Sequence, residues 1–142
     1  ARHFRLLSER LAALGLAPGS YDPRQGGYSR LYGFLRSLQT SEERAAAGFL
    51  TLAGMSATRL AALASFCEDK GDGDTARLII DSILPDEERR VELGRDTLVA
   101  LVSTDETQAR ARRASYRTVE LLTDLYDPTM FRKLSGRGPT RK

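Results

Sequence analysis

The chain of 142 residues is long enough for one domain with a hydrophobic core. Its composition, 41% hydrophobic and 29% charged, is typical of a soluble globular protein, and its net charge of +3 indicates no partner by itself. The single cysteine, Cys67, excludes an internal disulfide and fits a reducing, cytoplasmic environment. No uninterrupted apolar run is long enough to span a membrane, so we expect no membrane partner.

Helical patterns cover most of the chain, and no segment has the pattern of a strand. The first helix is predicted over residues 2–14 and ends at Gly15, with one apolar stripe formed by Phe4, Leu7, Leu11 and Leu14. A loop rich in Gly and Pro follows over 16–27. A short helix over about 29–39 is then predicted to bury Leu31, Phe34, Leu35 and Leu38.

The sequence of residues 40–126 predicts three longer helices. Thr40 and Glu43 have the spacing of a capping box and begin a helix that ends near residue 69. After a Gly/Asp turn, the next helix covers about 75–102 and contains Pro85, which should distort it.

Ser103 and Glu106 form a second capping-box candidate before a final helix to about residue 126. The apolar residues expected to face inward on this final helix are Tyr116, Val119, Leu122 and Leu125. Long helices joined by short turns favour an antiparallel bundle over residues 1–131.

The last residues, 132–142, form a basic tail with no acidic side chain. Its cations are Arg132, Lys133, Arg137, Arg141 and Lys142, and Gly and Pro are interspersed. This composition predicts a flexible segment. The tail could contact RNA or another polyanion, or it could be a solvated terminus.

Glu87 and Arg90 form the most informative pattern in the sequence, within the segment 86–94. Helical bundles that bind two metal ions offer a Glu and, three residues later, a His, both facing inward. Here Glu87 is followed by Arg90, whose guanidinium has no lone pair for a metal. The alternative is an exposed charged face with ion pairs along one helix.

The helix before the turn at Gly73 offers no acidic partner to Glu87. In an antiparallel hairpin, the residue level with Glu87 is close to Arg59, within about two helical turns. The inward residues of that window carry no carboxylate; they are Ala53, Met55, Ser56 and Leu60.

The segments 50–60 and 86–94 resemble the last two core helices of the ferritin-like di-iron carboxylate superfamily, which includes rubrerythrins and tRNA hydroxylases. The last helix matches at Asp86, Glu87 and Gly94. The resemblance places a metal-bridging Glu at Ala53 or Gly54 and a His at Arg90, so both ligands are replaced. Residues 1–11 resemble the end of a Glu-x-x-His helix in which His3 is the His. The Glu of that helix, and the first helix of the superfamily, are expected upstream of Ala1.

The resemblance implies a ferritin-like antiparallel four-helix bundle with a degenerate site, in which His3 and Glu87 are vestigial ligands. Two ligands on different helices would hold metal weakly, so we expect no cofactor, and we expect Arg90 to replace the metal as a counter-charge. The preferred function is a structural or protein-interaction module. The alternative is an oxidoreductase or hydroxylase with iron or manganese, and the third hypothesis is an RNA- or polyanion-binding accessory protein. An apolar groove left by the missing first helix predicts a homo-oligomer or a partner subunit.

Overall fold

The computed structural model describes residues 2–17 and 27–125 of the chain. These residues form five helices and no strand, which confirms the prediction of an all-α fold. The helices are α1 (Arg2–Ala13), α2 (Arg30–Ser37), α3 (Ser41–Asp69), α4 (residues 73–101) and α5 (Asp105–Leu125). Two of these helices contain π-helical stretches, Ala45–Leu52 in α3 and Ile79–Ile83 in α4.

Helix α3 is the centre of the fold, because α4 packs along one side of it and α5 along another. Helix α4 runs antiparallel to α3, as shown by Gly94 lying against Leu50. Helix α5 runs parallel to α3, since Arg110 meets Glu42 near the start of both helices. Small side chains dominate the contacts and allow the helices to approach closely; the buried ones are Ala45, Ala46, Ala47, Ala53, Ala111, Ala114 and Thr118.

The helix starts follow from local side-chain chemistry. The capping box of Thr40 and Glu43 is present, with each side chain accepting a hydrogen bond from the backbone N–H of the other residue. The second predicted box is wrong by one residue, because Thr104 and Thr107 exchange the corresponding bonds at the start of α5. Glu106 instead accepts a hydrogen bond from Arg110 one turn later.

Helix α4 continues through Pro85, and its predicted distortion is a π-helical turn. The N–H of Leu84 donates to the carbonyl of Ile79, five residues earlier. Pro85 follows at the beginning of the regular segment Leu84–Leu101, where a residue without an N–H is tolerated.

Helix α2 buries the apolar side chains that the sequence predicted. Leu31 lies in a core cluster with Leu121 and Leu122 of α5, and Leu38 lies in a second cluster with Ala47 and Ala114. Phe34 and Leu35 pack against both clusters.

Helix α1 is attached differently, since none of its residues is buried and it packs closely against no other described helix. Its apolar stripe is exposed, and Phe4 retains 76% of its accessible surface. Polar contacts hold the helix instead: Arg10 binds Asp72 and donates to Thr75 Oγ1 at 2.8 Å, next to the α3–α4 turn.

The inward face predicted for α5 is only partly correct. Leu122 is buried and Leu125 packs on the core, but Tyr116 and Val119 are exposed. The face that meets α3 carries Ala111, Ala114 and Thr118 instead, because close helix approach selects small side chains over large ones.

Helix α3 is the one described helix whose length and composition would let it cross a membrane, and 11% of its most apolar window is buried. Thr51, Ser56 and Thr58 interrupt this apolar segment, so it contains no uninterrupted apolar run long enough to span a membrane. Core helices of soluble proteins pass the same test, so this composition alone does not assign α3 to a membrane.

Candidate metal centre

Glu87 lies on the side of α4 that faces the core, where only 7% of its surface is exposed. Gly94, two turns later on the same side, is also buried. A Cβ built on Gly94 would lie 2.8 Å from Leu50 N and 2.9 Å from Phe49 C. Glycine at this position therefore allows the backbones of α3 and α4 to approach closely around the segment that carries Glu87.

Arg90 covers the buried carboxylate of Glu87 from the same helix. Its Nη1 donates a hydrogen bond to Glu87 Oε1 at 2.8 Å, and 52% of the Arg90 side chain is exposed. The guanidinium therefore bridges the buried carboxylate and solvent. This arrangement satisfies a buried negative charge without a metal ion.

His3 reaches the same turn of α4, but it binds Asp86 rather than Glu87. His3 Nε2 and Asp86 Oδ2 are 2.8 Å apart, and Arg2 and Arg89 also contact the Asp86 carboxylate. The hydrogen bond from His3, followed by the charges of the nearby cations, holds the pKa of Asp86 below its ordinary value. Consecutive residues on a helix point about 100° apart, so this cluster and Glu87 occupy different sides of α4.

The facing helix supplies no ligand. Ala53 is buried and has no donor atom, and the Cβ position of Gly54 lies 3.8 Å from the Val91 side chain. Within residues 2–17 and 27–125, no group of three or more His, Cys, Asp or Glu side chains is arranged to hold a metal ion. The residues present at Glu87, Arg90 and Ala53 do not fit the two-metal centre that the resemblance implies.

A second buried carboxylate, Glu42, was not predicted as an ion-pair residue. It lies in the first turn of α3, with 8% of its surface exposed, and accepts hydrogen bonds from Arg110 on α5, with Nε at 2.9 Å. Hydrogen bonds from its own backbone N–H and from Arg110 lower the pKa of Glu42 despite its burial. The hydrogen bond that Arg110 donates to Glu42 in turn raises the pKa of Arg110. The capping box placed Glu42 on the helix, but nothing in the sequence linked it to Arg110.

Acidic side chains neutralise part of the basic surface of α5. Arg110 is bound to Glu42 and Glu106, and Arg117 pairs with Glu120 at 2.6 Å. Arg112 and Arg113 are exposed. The predicted polyanion-binding residues of the tail, Arg132, Lys133, Arg137, Arg141 and Lys142, lie outside the described residues.

Comparison of the chain with protein-family models, curated proteins and solved structures finds no match.

Proposed function

We propose that the chain is a ferritin-like helical bundle with a degenerate metal site, and that it acts as a structural or protein-interaction module. The observation that carries the proposal is the buried Glu87 carboxylate bound by Arg90 at 2.8 Å. A guanidinium provides the positive charge that a bound cation would otherwise provide, but it has no lone pair to share. It would also repel a cation placed next to Glu87.

The facing helix supports the same proposal. A two-metal centre requires several carboxylates to balance the charge of two cations. Ala53 is buried at a position where the resemblance implies a bridging Glu, and His3 is engaged by Asp86. Among the ligand positions that this chain contains, Glu87 is thus the single carboxylate.

Exposed apolar side chains support a role in protein interactions. Phe4 on α1, Val99 on α4 and Tyr116 on α5 each expose at least 70% of their surface. Large exposed apolar patches commonly mark binding surfaces, whereas scattered single residues do not. Val99 lines an open, largely apolar groove between α4 and α5, together with Leu98 and Val102.

Thermal unfolding with and without metal tests this proposal. A ligand that binds only the folded state at a concentration 100 times its Kd stabilises that state by about 2.7 kcal/mol. We therefore expect no rise in Tm when Mn²⁺ or, without oxygen, Fe²⁺ is added. A rise of several degrees that disappears in Glu87→Ala would contradict the proposal and favour the oxidoreductase alternative.

A further inference from the structure

Two tyrosines and an arginine form a ladder of stacked groups along an exposed side of α2. The centroids of the Tyr28 and Tyr32 rings are 4.6 Å apart and the ring planes meet at 22°, so the rings are stacked. Arg36 extends the ladder, since its Cζ lies 5.8 Å from the centroid of the Tyr32 ring. The three residues are spaced by four positions, which brings side chains together on one face of a helix.

The start of α2 holds Tyr28 in its place on the ladder. The side chain of the cap residue Ser29 accepts a hydrogen bond from the backbone N–H of Tyr32 at 3.1 Å. Tyr28 directly precedes this cap, so the hydrogen bond that begins the helix also places Tyr28 one turn before Tyr32. The ladder is therefore formed by the protein alone and needs no ligand to order it.

The ring of Tyr28 is largely open to solvent. Tyr28 retains 71% of its accessible surface and Tyr32 retains 42%, and neither ring belongs to the core clusters that α2 forms with α5. Tyr32 has a ladder neighbour on each side along the helix, whereas Tyr28 has one. The face of the Tyr28 ring that points away from Tyr32 is thus free to stack on a planar group of a ligand.

The other end of α2 is cationic. Arg36 lies in the last turn of α2. Arg44, near the start of α3, donates two hydrogen bonds to the carbonyl of Leu38, the residue that ends α2. Arg113 of α5 precedes Ala114, which shares a core cluster with Leu38. Three exposed arginines therefore surround this end of the helix.

None of these three arginines forms an ion pair with a carboxylate of the described residues. The acidic side chains at the start of α3 are already engaged, because Glu43 caps the helix and Glu42 binds Arg110. Residues 27–40 contain two arginines and no acidic residue. This end of the ladder is thus complementary to an anionic ligand.

We propose that the α2 ladder (Tyr28, Tyr32 and Arg36), together with Arg44 and Arg113, binds single-stranded nucleic acid. A nucleobase stacks on the free face of Tyr28, and backbone phosphates bind the arginines at the other end of α2. Tyr28 and Arg36 are eight residues apart, roughly 12 Å along a helix, so a short run of unpaired nucleotides reaches both. Base stacking and phosphate contacts are the two components with which proteins bind single strands of any sequence.

Other ligands of aromatic surfaces fit the ladder less well. Proline-rich peptides bind in grooves lined by aromatic side chains, and the 4.6 Å spacing leaves no groove between Tyr28 and Tyr32. Cationic ligands would be repelled by Arg36 and the two neighbouring arginines. Bases in a duplex are stacked on each other, so a double strand would leave Tyr28 without a partner.

Fluorescence anisotropy with labelled oligonucleotides tests the proposal. The full chain is titrated into fluorescein-labelled oligothymidylate or oligouridylate strands of about twelve nucleotides. At about 50 mM salt, a Kd in the range of about 1–100 µM is expected for binding that does not depend on sequence. DNA and RNA strands should bind alike, because no contact of the ladder selects the 2′-hydroxyl group.

Variants of the ladder separate stacking from charge. Tyr28→Ala should weaken binding about tenfold, because the stacking of one base is lost. Tyr28→Phe should retain the affinity, because the ring and not the hydroxyl makes the contact. Arg36→Gln and Arg113→Gln should each reduce the slope of log K against log salt concentration by about 0.7 for each phosphate contact that is lost.

Two matched variants control for exposed rings and for general charge. Phe4→Ala removes a largely exposed ring that stacks on no other described ring, and Arg95→Gln removes an exposed, unpaired arginine of α4. Both should bind as the wild type does. The helical circular dichroism of Tyr28→Ala should be unchanged, since Tyr28 is exposed.

Absence of binding to both strands would overturn the proposal, as would an affinity that Tyr28→Ala leaves unchanged. Binding that is lost on deletion of residues 132–142 but insensitive to Tyr28→Ala would assign the contact to the basic tail instead. Equal competition by a duplex of the same length would show that charge alone is recognised, which also contradicts the proposal. None of these results depends on whether the chain binds metal, so this proposal and the proposed function can fail separately.

Discussion

Replacing Gly94 by alanine should force α3 and α4 apart. The added Cβ would lie 2.8 Å from Leu50 N, 2.9 Å from Phe49 C and 2.9 Å from Phe49 Cβ. Two of these atoms belong to the backbone of the π-helical stretch of α3, so no side-chain rotation can relieve the contact. Restoring the shortest contact from 2.8 to 3.4 Å requires a shift of about 0.6 Å, and overpacking of this kind costs about 1–3 kcal/mol.

Helix propensity acts in the opposite direction and must be separated from the clash. Alanine is favoured over glycine inside a helix by up to about 1 kcal/mol. Gly54 provides the matched control, because its Cβ position meets only Val91 Cγ2 at 3.8 Å, an ordinary contact. Gly54→Ala should therefore gain stability, and Gly94→Ala should be about 1–3 kcal/mol less stable than Gly54→Ala.

Urea denaturation of the wild type, Gly94→Ala and Gly54→Ala measures this difference in stability. The midpoint should fall for Gly94→Ala and rise for Gly54→Ala, with similar m-values if only stability changes. If Gly94→Ala proves as stable as Gly54→Ala, the close approach of α3 and α4 at Gly94 is refuted.

Three further predictions concern the polar contacts. Arg90→Met should lower the free energy of unfolding, measured with urea, by about 1–2 kcal/mol, because it leaves the buried Glu87 carboxylate without its charged donor. An unchanged urea midpoint would show that the ion pair does not stabilise the fold. Hydrogen bonds lower the pKa of Glu42 and of Asp86 in the folded protein, so their contribution is present at neutral pH and is lost as the pH falls. The urea midpoint should thus be level from about pH 7 to 5 and fall below about pH 4, and a midpoint that rises on acidification would contradict this sign. Arg10→Ala should raise the rate of amide hydrogen exchange in α1 about tenfold and leave α3 protected, because α1 has no buried residue. An unchanged exchange rate in α1 would show that other contacts hold this helix.

Much of the helix pattern could be predicted from sequence because helix ends depend on nearby residues. The reciprocal bonds of Thr40 and Glu43 connect positions three residues apart, and Gly71 adopts the positive φ that ends α3. The single misplaced cap, at Thr104 rather than Ser103, shows the limit of this local information. Thr107 reproduces the bonds that the pattern assigned to a Glu.

Burial and long-range pairing were less predictable, because they depend on how the helices pack. Hydrophobicity favoured Tyr116 and Val119 as inward residues, but the close contact with α3 selected Ala114 and Thr118. The ion pair of Glu42 and Arg110 joins residues 68 positions apart, and no periodicity in the chain encodes it.

At the candidate site, one contact follows from local sequence and another depends on how the helices pack. The spacing of Glu87 and Arg90, three residues apart on one helix, permits the ion pair that the structure shows. The position of His3 relative to Asp86 requires the docking of α1 on α4, which the stripe of α1 did not predict. The resemblance placed His3 with Glu87, whereas the structure places it on the preceding residue.

The metal content of the full chain tests the central claim, that a guanidinium replaces the metal at Glu87. The protein is incubated without oxygen with excess Fe²⁺ or Mn²⁺, desalted, and analysed by inductively coupled plasma mass spectrometry. We expect well below one metal ion per chain, and the same content in Glu87→Ala. Two tightly bound ions per chain, lost in Glu87→Ala, would contradict the claim.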